Sequence, residues 1–390
     1  MRIAIVLWEL NIKGGTQRQA LELAYNLQNL GHQVDVFTYY YNQKECYSEL
    51  CQKLKIHYIS LEKERPSTLK QKMINNFYRD ERMINLKNLI KNTKIDYDVI
   101  NVHDYQVYKI ATILNHKNVI WMMNDIPGQF LINKIGKLKP LLYILNAQLL
   151  KRFTKKIKKI IVLDNRVKNI FHKKYKLDAI VVRSGLDLNM YSDYPNYNKV
   201  LTKNDIKIFA SSIFFPYRRF EDIVDAVEII KNTSNIKLSV TINGNPNRNV
   251  EYFNFIKQII KEKKLNEIIS ITTGLNETKL KNKYLEANIF IFPNHQQTWG
   301  LSVFEAMLAG CVCLVSKTSG AHEVLTDNHN ALLINPKAPE EIAQKIIHLA
   351  NNHEIIKNIS ANAKKFVYDN LSWKRYAENM LKAFKDKYED

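Results

Sequence analysis

Apolar residues in this chain fall into short unbroken runs, separated by polar loops and by stretches of helical period. Ile3–Leu7 (IAIVL) is apolar at every position, which predicts a strand buried on both faces. Trp8–Gly15 reads as a loop, Thr16–Leu30 as a helix stopped by Gly31, and Val34–Thr38 as the next strand, making one βαβ unit. Further strands are expected at Ile56–Ile59, Asp98–Val102, Val119–Met123, Ile160–Leu163 and Ile180–Val182. A second series follows at Ile206–Ala210, Leu238–Asn243, Ile268–Thr273, Ala287–Phe292 and Cys311–Val315. Helices are expected from Phe220 to about Lys231, over Leu301–Ala309 with Gly310 as its stop, and from Trp373 to Lys385. Ser316–Gly320 reads as a loop before one more helix. Strands alternating with helices predict α/β architecture with parallel sheets, whose ligands gather in loops at the carboxyl ends of the strands.

At 390 residues the chain has room for two domains, with the boundary expected near residues 185–200, where Ser192–Val200 reads as a surface linker. The division expected is 1–190, 191–370, and 371–390 as a C-terminal helix crossing back to the first domain. A hydrophobic content of 46% with 25% charged residues describes a globular protein. No run of about eighteen apolar residues exists, so no transmembrane helix is expected. Glu9 and the lack of a small-residue cleavage site favour a first strand over a signal peptide. Cys46, Cys51, Cys311 and Cys313 suggest neither a disulfide framework nor a zinc site, and the chain reads as cytosolic.

The formal charge of +20 reads either as solvated surface lysine or as the mark of an anionic partner. Lys137–Lys159 bears on that choice. Leu141, Leu142, Leu145, Leu149 and Phe153 make an apolar side, and Lys151, Arg152, Lys155, Lys156, Lys158 and Lys159 put six cations in nine residues. This is an ordinary amphipathic helix with a basic end, or a patch attracted to anionic lipid. Nucleic acid is disfavoured, because no aromatic-interleaved motif accompanies the charge.

Among candidate site residues, Gly14–Gly15 would let a ligand approach a helix N-terminus, whose free amides favour phosphate. The spacing is not the GxGxxG fingerprint, so a nicotinamide cofactor is not expected. His103 beside Asp104 is either a proton-handling pair or a structural histidine, the commoner case for an isolated histidine. Glu305, in the second turn of an apolar helix, needs a partner and is either a rim glutamate bonded to a neighbour or a ligand contact.

The stretch Pro293–Pro336 resembles the donor-site signature of GT-B glycosyltransferases of the family 4 type. Glu305, Ala306, Met307 and Gly310 match its second half, and the match continues through Ser319, Gly320, Glu323 and Asn330. The signature's first glutamate is replaced by Gln297. Gly31, His32, Val34 and Val36 resemble the family's opening, and Arg183–Asp187 its interdomain hinge, with Ser184 where asparagine is usual. Counting back from Ala226 puts Arg218 at the family's phosphate-binding lysine and Ser212 at its arginine, with Arg219 adjacent. Asn124, followed by Asp125, stands where many members carry a histidine close to the donor sugar.

The resemblance implies a GT-B fold, two Rossmann-like doubly wound α/β domains facing across a cleft. It implies a retaining transferase of a hexose-type sugar that needs neither metal nor cofactor. Arg218, Gln297, Asn124 and Asp125 would then do the chemistry. The donor nucleotide sugar would meet Gly15, Arg218, Arg219, Gly244, Gln297, Thr298, Trp299, Gly300, Leu301, Ser302 and Glu305, with Glu305 on the ribose. Gly14, Gly15, His103 and Asp104 would face the acceptor, a glycan or lipid-linked sugar. Peripheral attachment at the inner face of an anionic membrane is the expectation from the charge. Two rival readings are a nucleotide-sugar epimerase and an inactive donor-binding subunit, the latter prompted by Gln297, Ser212 and Asn124.

Overall fold

The computed structural model describes residues 1–61, 79–103, 108–124, 150–152, 154–193, 205–295 and 299–386. Side chains of 79–81, 108, 112 and 248 are not described. The chain separates into two compact units, Met1–Gly185 with Trp373–Asp390, and Leu186–Ser372.

The first unit holds a seven-stranded sheet in the order β3-β2-β1-β4-β5-β6-β7. Its strands are β1 Arg2–Leu10, β2 Gln33–Tyr41, β3 Ile56–Ser60, β4 Val99–His103, β5 Val119–Met122, β6 Lys159–Val162 and β7 Ile180–Val181. Every pair is parallel. Strands covered on both faces must be apolar throughout, and β1 shows it: Ile3, Ala4, Ile5, Val6 and Leu7 are all buried. The helix Gly15–Asn29 (α1) follows β1, and the terminal helix Trp373–Phe384 packs on α1.

The second unit carries a six-stranded parallel sheet in the order β10-β9-β8-β11-β12-β13. Its strands are β8 Asp205–Ser211, β9 Lys237–Asn243, β10 Ile269–Thr272, β11 Ile289–Phe292, β12 Val312–Ser316 and β13 Leu332–Ile334. Its core joins the inward faces of β8, β9, β11 and β12 to the helices Phe220–Thr233, Val250–Glu262 and Pro339–Asn351.

Both sheets are doubly wound α/β. In each, the chain builds outward on one side of its first strand and then crosses back to the other side. The strand order therefore reverses between β1 and β4 in the first unit and between β8 and β11 in the second. At such a reversal the flanking loops leave the sheet in opposite directions and open a crevice at the carboxyl edge.

Three sequence expectations need correction. The loop expected from Trp8 begins at Asn11, because β1 keeps pairing with β2 through Glu9↔Tyr40 and Leu10↔Tyr41 after β4 has ended its own pairing at Val6. For the same reason β2 runs on to Tyr41 instead of stopping at Thr38, and Trp8 stacks on Tyr39 with ring centroids 5.3 Å apart. The helix expected after Ser316–Gly320 is only a 3-10 turn, Gly320–Val324. It ends because Asn330 Oδ1 takes the Thr326 amide at 2.8 Å and turns the chain into β13. Residues 194–200 of the expected linker lie outside the described residues.

Candidate functional site

At the reversal point of the second unit, Pro216–Arg218 forms a single 3-10 turn after β8. Proline at its start supplies a preset φ and lacks a hydrogen-bond donor that would go unused there. The loop after β11 closes onto this turn. Asn294 is buried, and its carboxamide, oriented by its partners, accepts from Arg218 Nη1 at 2.8 Å and donates to the Arg218 carbonyl at 3.1 Å. The His295 amide donates to the Tyr217 carbonyl at 2.7 Å, and the Arg218 guanidinium lies 4.8 Å from the centre of the Tyr217 ring. Thr318, after β12, adds a third loop, bonding His295 at 3.3 Å and Ser316 at 2.9 Å. Arg218 is thus held at both its backbone and its guanidinium.

Arg219, one residue on, has a different job. Its φ of +55° places it in the left-handed region as the cap of the Phe220 helix. Its Nε donates to Asp222 at 3.0 Å and its Nη1 pairs with Glu221 at 2.7 Å. Glu221 in turn accepts from the Tyr252 hydroxyl, which takes the Phe220 amide at 2.8 Å. This guanidinium is committed to the start of its own helix.

Gly244, after β9, is required by close approach. A Cβ there would lie 2.0 Å from the Ser212 carbonyl oxygen and 3.0 Å from the Phe214 ring. Ser212 itself is stapled by its amide to the Asn243 carbonyl at 3.0 Å, so these two residues shape the loop that carries Arg218.

The helix Leu301–Leu308 begins at Gly300, whose φ of +77° is open to glycine at no steric cost. Trp299 is buried against Phe304, ring centroids 4.6 Å apart, and so anchors the turn that aims the Gly300–Ser302 amides out of the helix end. Neither a side-chain cap nor an acidic residue occupies that first turn. Glu305 is half-buried. Its Oε2 accepts from the Tyr284 hydroxyl at 3.2 Å, and its carbonyl accepts from the Tyr191 hydroxyl at 3.3 Å. Burial, reinforced by the Glu305 charge, pushes both phenols well above their ordinary pKa, so both remain donors. The partner that the sequence demanded for Glu305 is a tyrosine hydroxyl from another helix, Glu277–Glu286. A carboxylate has further acceptor sites, so this bond leaves room for a ligand hydroxyl.

In the first unit Gly14 caps α1 in an extended conformation, and its carbonyl accepts from Tyr47 at 3.3 Å. Among the described residues, a Cβ on Gly15 would meet nothing within 4 Å, so their packing does not demand glycine there. His103 ends β4, fully buried, with Nε2 2.8 Å from Asn101 Oδ1. Burial pushes the ring's pKa down to about 3, so the imidazole is neutral near pH 7. Asn124, just past β5, is buried, and among the described residues neither of its amide atoms has a hydrogen-bond partner. Asp104, Asp125, Gln297 and Thr298 lie outside the described residues.

Of the six clustered cations, two are committed to the fold. Lys158 pairs with Asp386 at 2.7 Å, and Lys159 bonds Asp386 and the Ala383 carbonyl, fastening the terminal helix. Lys151, Arg152 and Lys155 and Lys156 are exposed. Among the described residues no helix is long and apolar enough to cross a membrane. Sequence reasoning missed Asn294, Tyr284 and Asn101. Asn294 alone left a signal, a polar residue one step beyond a buried strand and its proline.

Two family profiles match the chain, Glycosyltransferase Family 4 over residues 13–189 and Glycosyl transferases group 1 over residues 196–366. An uncharacterised glycosyltransferase of Methanocaldococcus jannaschii is 23% identical over 99% of this chain and 98% of its own. Among solved structures, a glycosyltransferase from Rickettsia africae superposes with a TM-score of 0.72 at 17% identity, covering 99% of this chain and 98% of its own. The Anabaena protein HepE, solved with UDP and also with UDP-glucose, gives 0.74 at 13% identity for its UDP complex, covering 99% of this chain and 100% of that one.

Proposed function

This chain belongs to the GT-B glycosyltransferases of the family 4 type, and from that premise we propose that it moves a hexose from a nucleoside diphosphate sugar to a glycan or lipid-linked acceptor, with retention and without a metal ion. The observation that carries the reading is Arg218, clamped by Asn294 at the reversal point between β8 and β11. A transferase that uses no metal must neutralise the departing diphosphate with fixed cations and helix N-termini. Arg218 and the Gly300–Ser302 amides fit that need, and Glu305 fits a ribose hydroxyl. HepE's complexes with UDP and UDP-glucose support a nucleotide-sugar donor. The first unit would take the acceptor at Gly14, Gly15, His103 and Asp104, and Asn124, Asp125 and Gln297 would meet the transferred sugar.

Arg219 does not supply the second cation that Ser212 lacks, since Asp222 and Glu221 hold it. That favours, as a second reading, a donor-binding subunit with little turnover of its own. A thermal-shift screen of nucleotide sugars identifies the donor, because a ligand of the native state raises the melting temperature by mass action. Release of nucleotide from that donor, with and without lipid-linked sugars, then separates the readings. Acceptor-dependent release supports the transferase. Binding without release points to the subunit, and epimerised donor without acceptor would overturn both.

We further propose that the chain docks on anionic membrane through Lys151, Arg152, Lys155 and Lys156. Co-sedimentation with anionic and zwitterionic vesicles tests this, with equal binding to both as the contrary result.

A further inference from the structure

The connection from β2 to β3 carries two cysteines, Cys46 and Cys51, that the sugar chemistry does not use. Both are free thiols, and both are buried. The helix Ser48–Gln52 between the strands is short and is capped by Tyr47, whose carbonyl accepts from the Cys51 amide at 2.9 Å. That turn brings Cys51 back to the residues before the helix, and the two thiols meet there. The Tyr41 hydroxyl donates to Cys51 Sγ, and the Cys51 thiol donates to Cys46 Sγ. Cys46 Sγ also accepts from the backbone amides of Tyr47 and Ile12, within reach of the Lys13 charge. The bond from Cys51 leads these influences, and together they hold the Cys46 thiol below its ordinary pKa although burial opposes them. Cys51 is pushed the other way, by the same bond and by burial. Cys311 and Cys313 are placed differently. Each donates its thiol to backbone carbonyls of the second unit, Cys311 to Tyr284 at 3.2 Å and Cys313 to Val303 at 3.5 Å, which keeps the proton on sulfur.

The pair touches the loop between β1 and α1 at two points. Cys46 Sγ takes the Ile12 amide, and Tyr47, which lies between the cysteines, donates its hydroxyl to the Gly14 carbonyl at 3.3 Å. The Arg18 guanidinium, on α1, lies 5.8 Å from the centre of the Tyr47 ring. We propose that Cys46 and Cys51 are a dithiol that a hydroperoxide converts to a disulfide, and that the conversion loosens the loop ahead of Gly15. The Cys46 thiolate attacks one peroxide oxygen, the O–O bond breaks, and hydroxide leaves, so that Cys46 becomes a sulfenic acid. Cys51 Sγ then attacks Cys46 Sγ, the S–O bond breaks, and the Cys51 proton leaves with that oxygen as water. Two electrons pass from the two sulfurs to the peroxide, whose oxygens end as hydroxide and water. A five-residue helix opens locally at low cost, which gives so small an oxidant a route to a buried sulfur. A disulfide sulfur carries no charge and accepts only weakly, so oxidation takes a charge-assisted partner away from the Ile12 and Tyr47 amides.

The test treats the reduced full-length protein with hydrogen peroxide, alkylates it with N-ethylmaleimide in denaturant and digests it with trypsin. Cys46 and Cys51 fall in one tryptic peptide, residues 45–53. That peptide is expected lighter by two hydrogens and unalkylated, with reversal by dithiothreitol, while Cys311 and Cys313 remain alkylated thiols. Alkylation of both Cys46 and Cys51 after peroxide, or equally fast oxidation of Cys311 and Cys313, overturns the proposal. Cys51→Ser should stop at the sulfenic acid, trapped on Cys46 by dimedone. Cys46→Ser should slow the reaction with peroxide at least about tenfold, because the remaining thiol keeps its proton. Equal rates in the two variants would overturn Cys46 as the attacking sulfur. Amide exchange in the wild-type protein reads the loop. The Ile12 amide should exchange about tenfold faster after oxidation and recover on reduction, and Cys46→Ala should show the fast rate without peroxide. Unchanged exchange at Ile12 overturns the coupling to the loop. The peptide mass and the Ile12 exchange both come from the wild-type protein, so a variant that fails to fold leaves the proposal testable. None of these readouts uses a sugar, so they stand or fall separately from the glycosyltransferase reading.

Discussion

Arg218 and Asn294 come from different loops and satisfy each other, guanidinium to carboxamide oxygen at 2.8 Å and carboxamide nitrogen to backbone carbonyl at 3.1 Å. A flexible cation becomes a fixed one because a buried amide holds it at two points, and a charge fixed in advance costs less to use on a diphosphate.

Asn294→Ala is therefore expected to weaken binding of the donor found by the thermal-shift screen by about 1–2 kcal/mol although Asn294 is buried and need not touch the nucleotide. Arg218→Ala should cost at least as much, and the double variant little more than Arg218→Ala alone, since the two residues act as one unit. Calorimetric titration with that donor measures all three. Additive losses would mean that Asn294 acts on its own.

Two glycines should respond in opposite directions. Gly244→Ala drives a methyl group to 2.0 Å from the Ser212 carbonyl and should lower the stability of the second unit by about 1–3 kcal/mol. Gly15→Ala, at the first position of α1, meets none of the described residues and should raise the stability of the first unit by about 0.5–1 kcal/mol. The same methyl group should reduce turnover of the donor found by the thermal-shift screen. Full activity in Gly15→Ala would show that the space above it is not used.

Substitutions at Glu305 separate fold from binding. Glu305→Gln keeps an oxygen for the buried Tyr284 hydroxyl and should melt near the wild-type temperature. It should nevertheless bind the donor more weakly by about 1–3 kcal/mol, the worth of a charge-assisted bond to a ribose hydroxyl. Glu305→Ala also strands the tyrosine and should lose stability in addition. Undiminished donor binding by Glu305→Gln would return Glu305 to a purely structural role.

The neutral His103 ring imposes a pH dependence whose sign is fixed. Burial holds its native pKa near 3, against about 6.5 when unfolded. Between those values the unfolded chain binds a proton that the native state refuses, so stability falls as pH falls. From pH 6.5 to pH 5 the loss should reach about 1.6 kcal/mol. His103→Gln removes it, so urea midpoints of variant and wild type should converge or cross on acidification. A constant gap between pH 7 and pH 5 would mean that the native ring takes up the proton.

The basic cluster divides into docking and fastening cations. The hydrogen bonds of Lys158 and Lys159 hold the Asp386 carboxyl down to about 2, so this attachment of the terminal helix is present above about pH 4 and lost on acidification through pH 2. Gln at Lys158 and Lys159 should loosen Trp373–Phe384, seen as faster amide exchange in that helix, and leave vesicle binding unchanged. Gln at Lys151, Lys155 and Lys156 should do the reverse, with the lipid-dependent part fading as salt shortens the Debye length from about 10 Å to about 3 Å. Loss of vesicle binding in the Lys158 and Lys159 variant instead would reassign the patch.

The chain's local pattern was enough to establish a parallel α/β architecture, because apolar runs of strand length and apolar stripes of helical period are properties of neighbouring residues. Ile3–Leu7 and Ile206–Ala210 lie within strands, the run Ala287–Phe292 became a strand from Ile289 on, and Glu305 and Gly310 kept their places in the helix and at its end. The division of labour among the polar residues was decided elsewhere. Arg218 and Arg219 are adjacent and chemically alike, yet one reaches Asn294 across the sheet and the other Asp222 on its own helix. Lys158 and Lys159 looked like their four neighbours until Asp386, more than two hundred residues away, drew them into the fold. The extra length of β1 came from its hydrogen bonds to β2, and the tautomer of His103 from Asn101 and the Ile120 carbonyl. Hydrophobic pattern repeats along the chain and can be read there. A hydrogen bond between distant residues has no period, so only the folded structure decides which polar atom is used and which is left over.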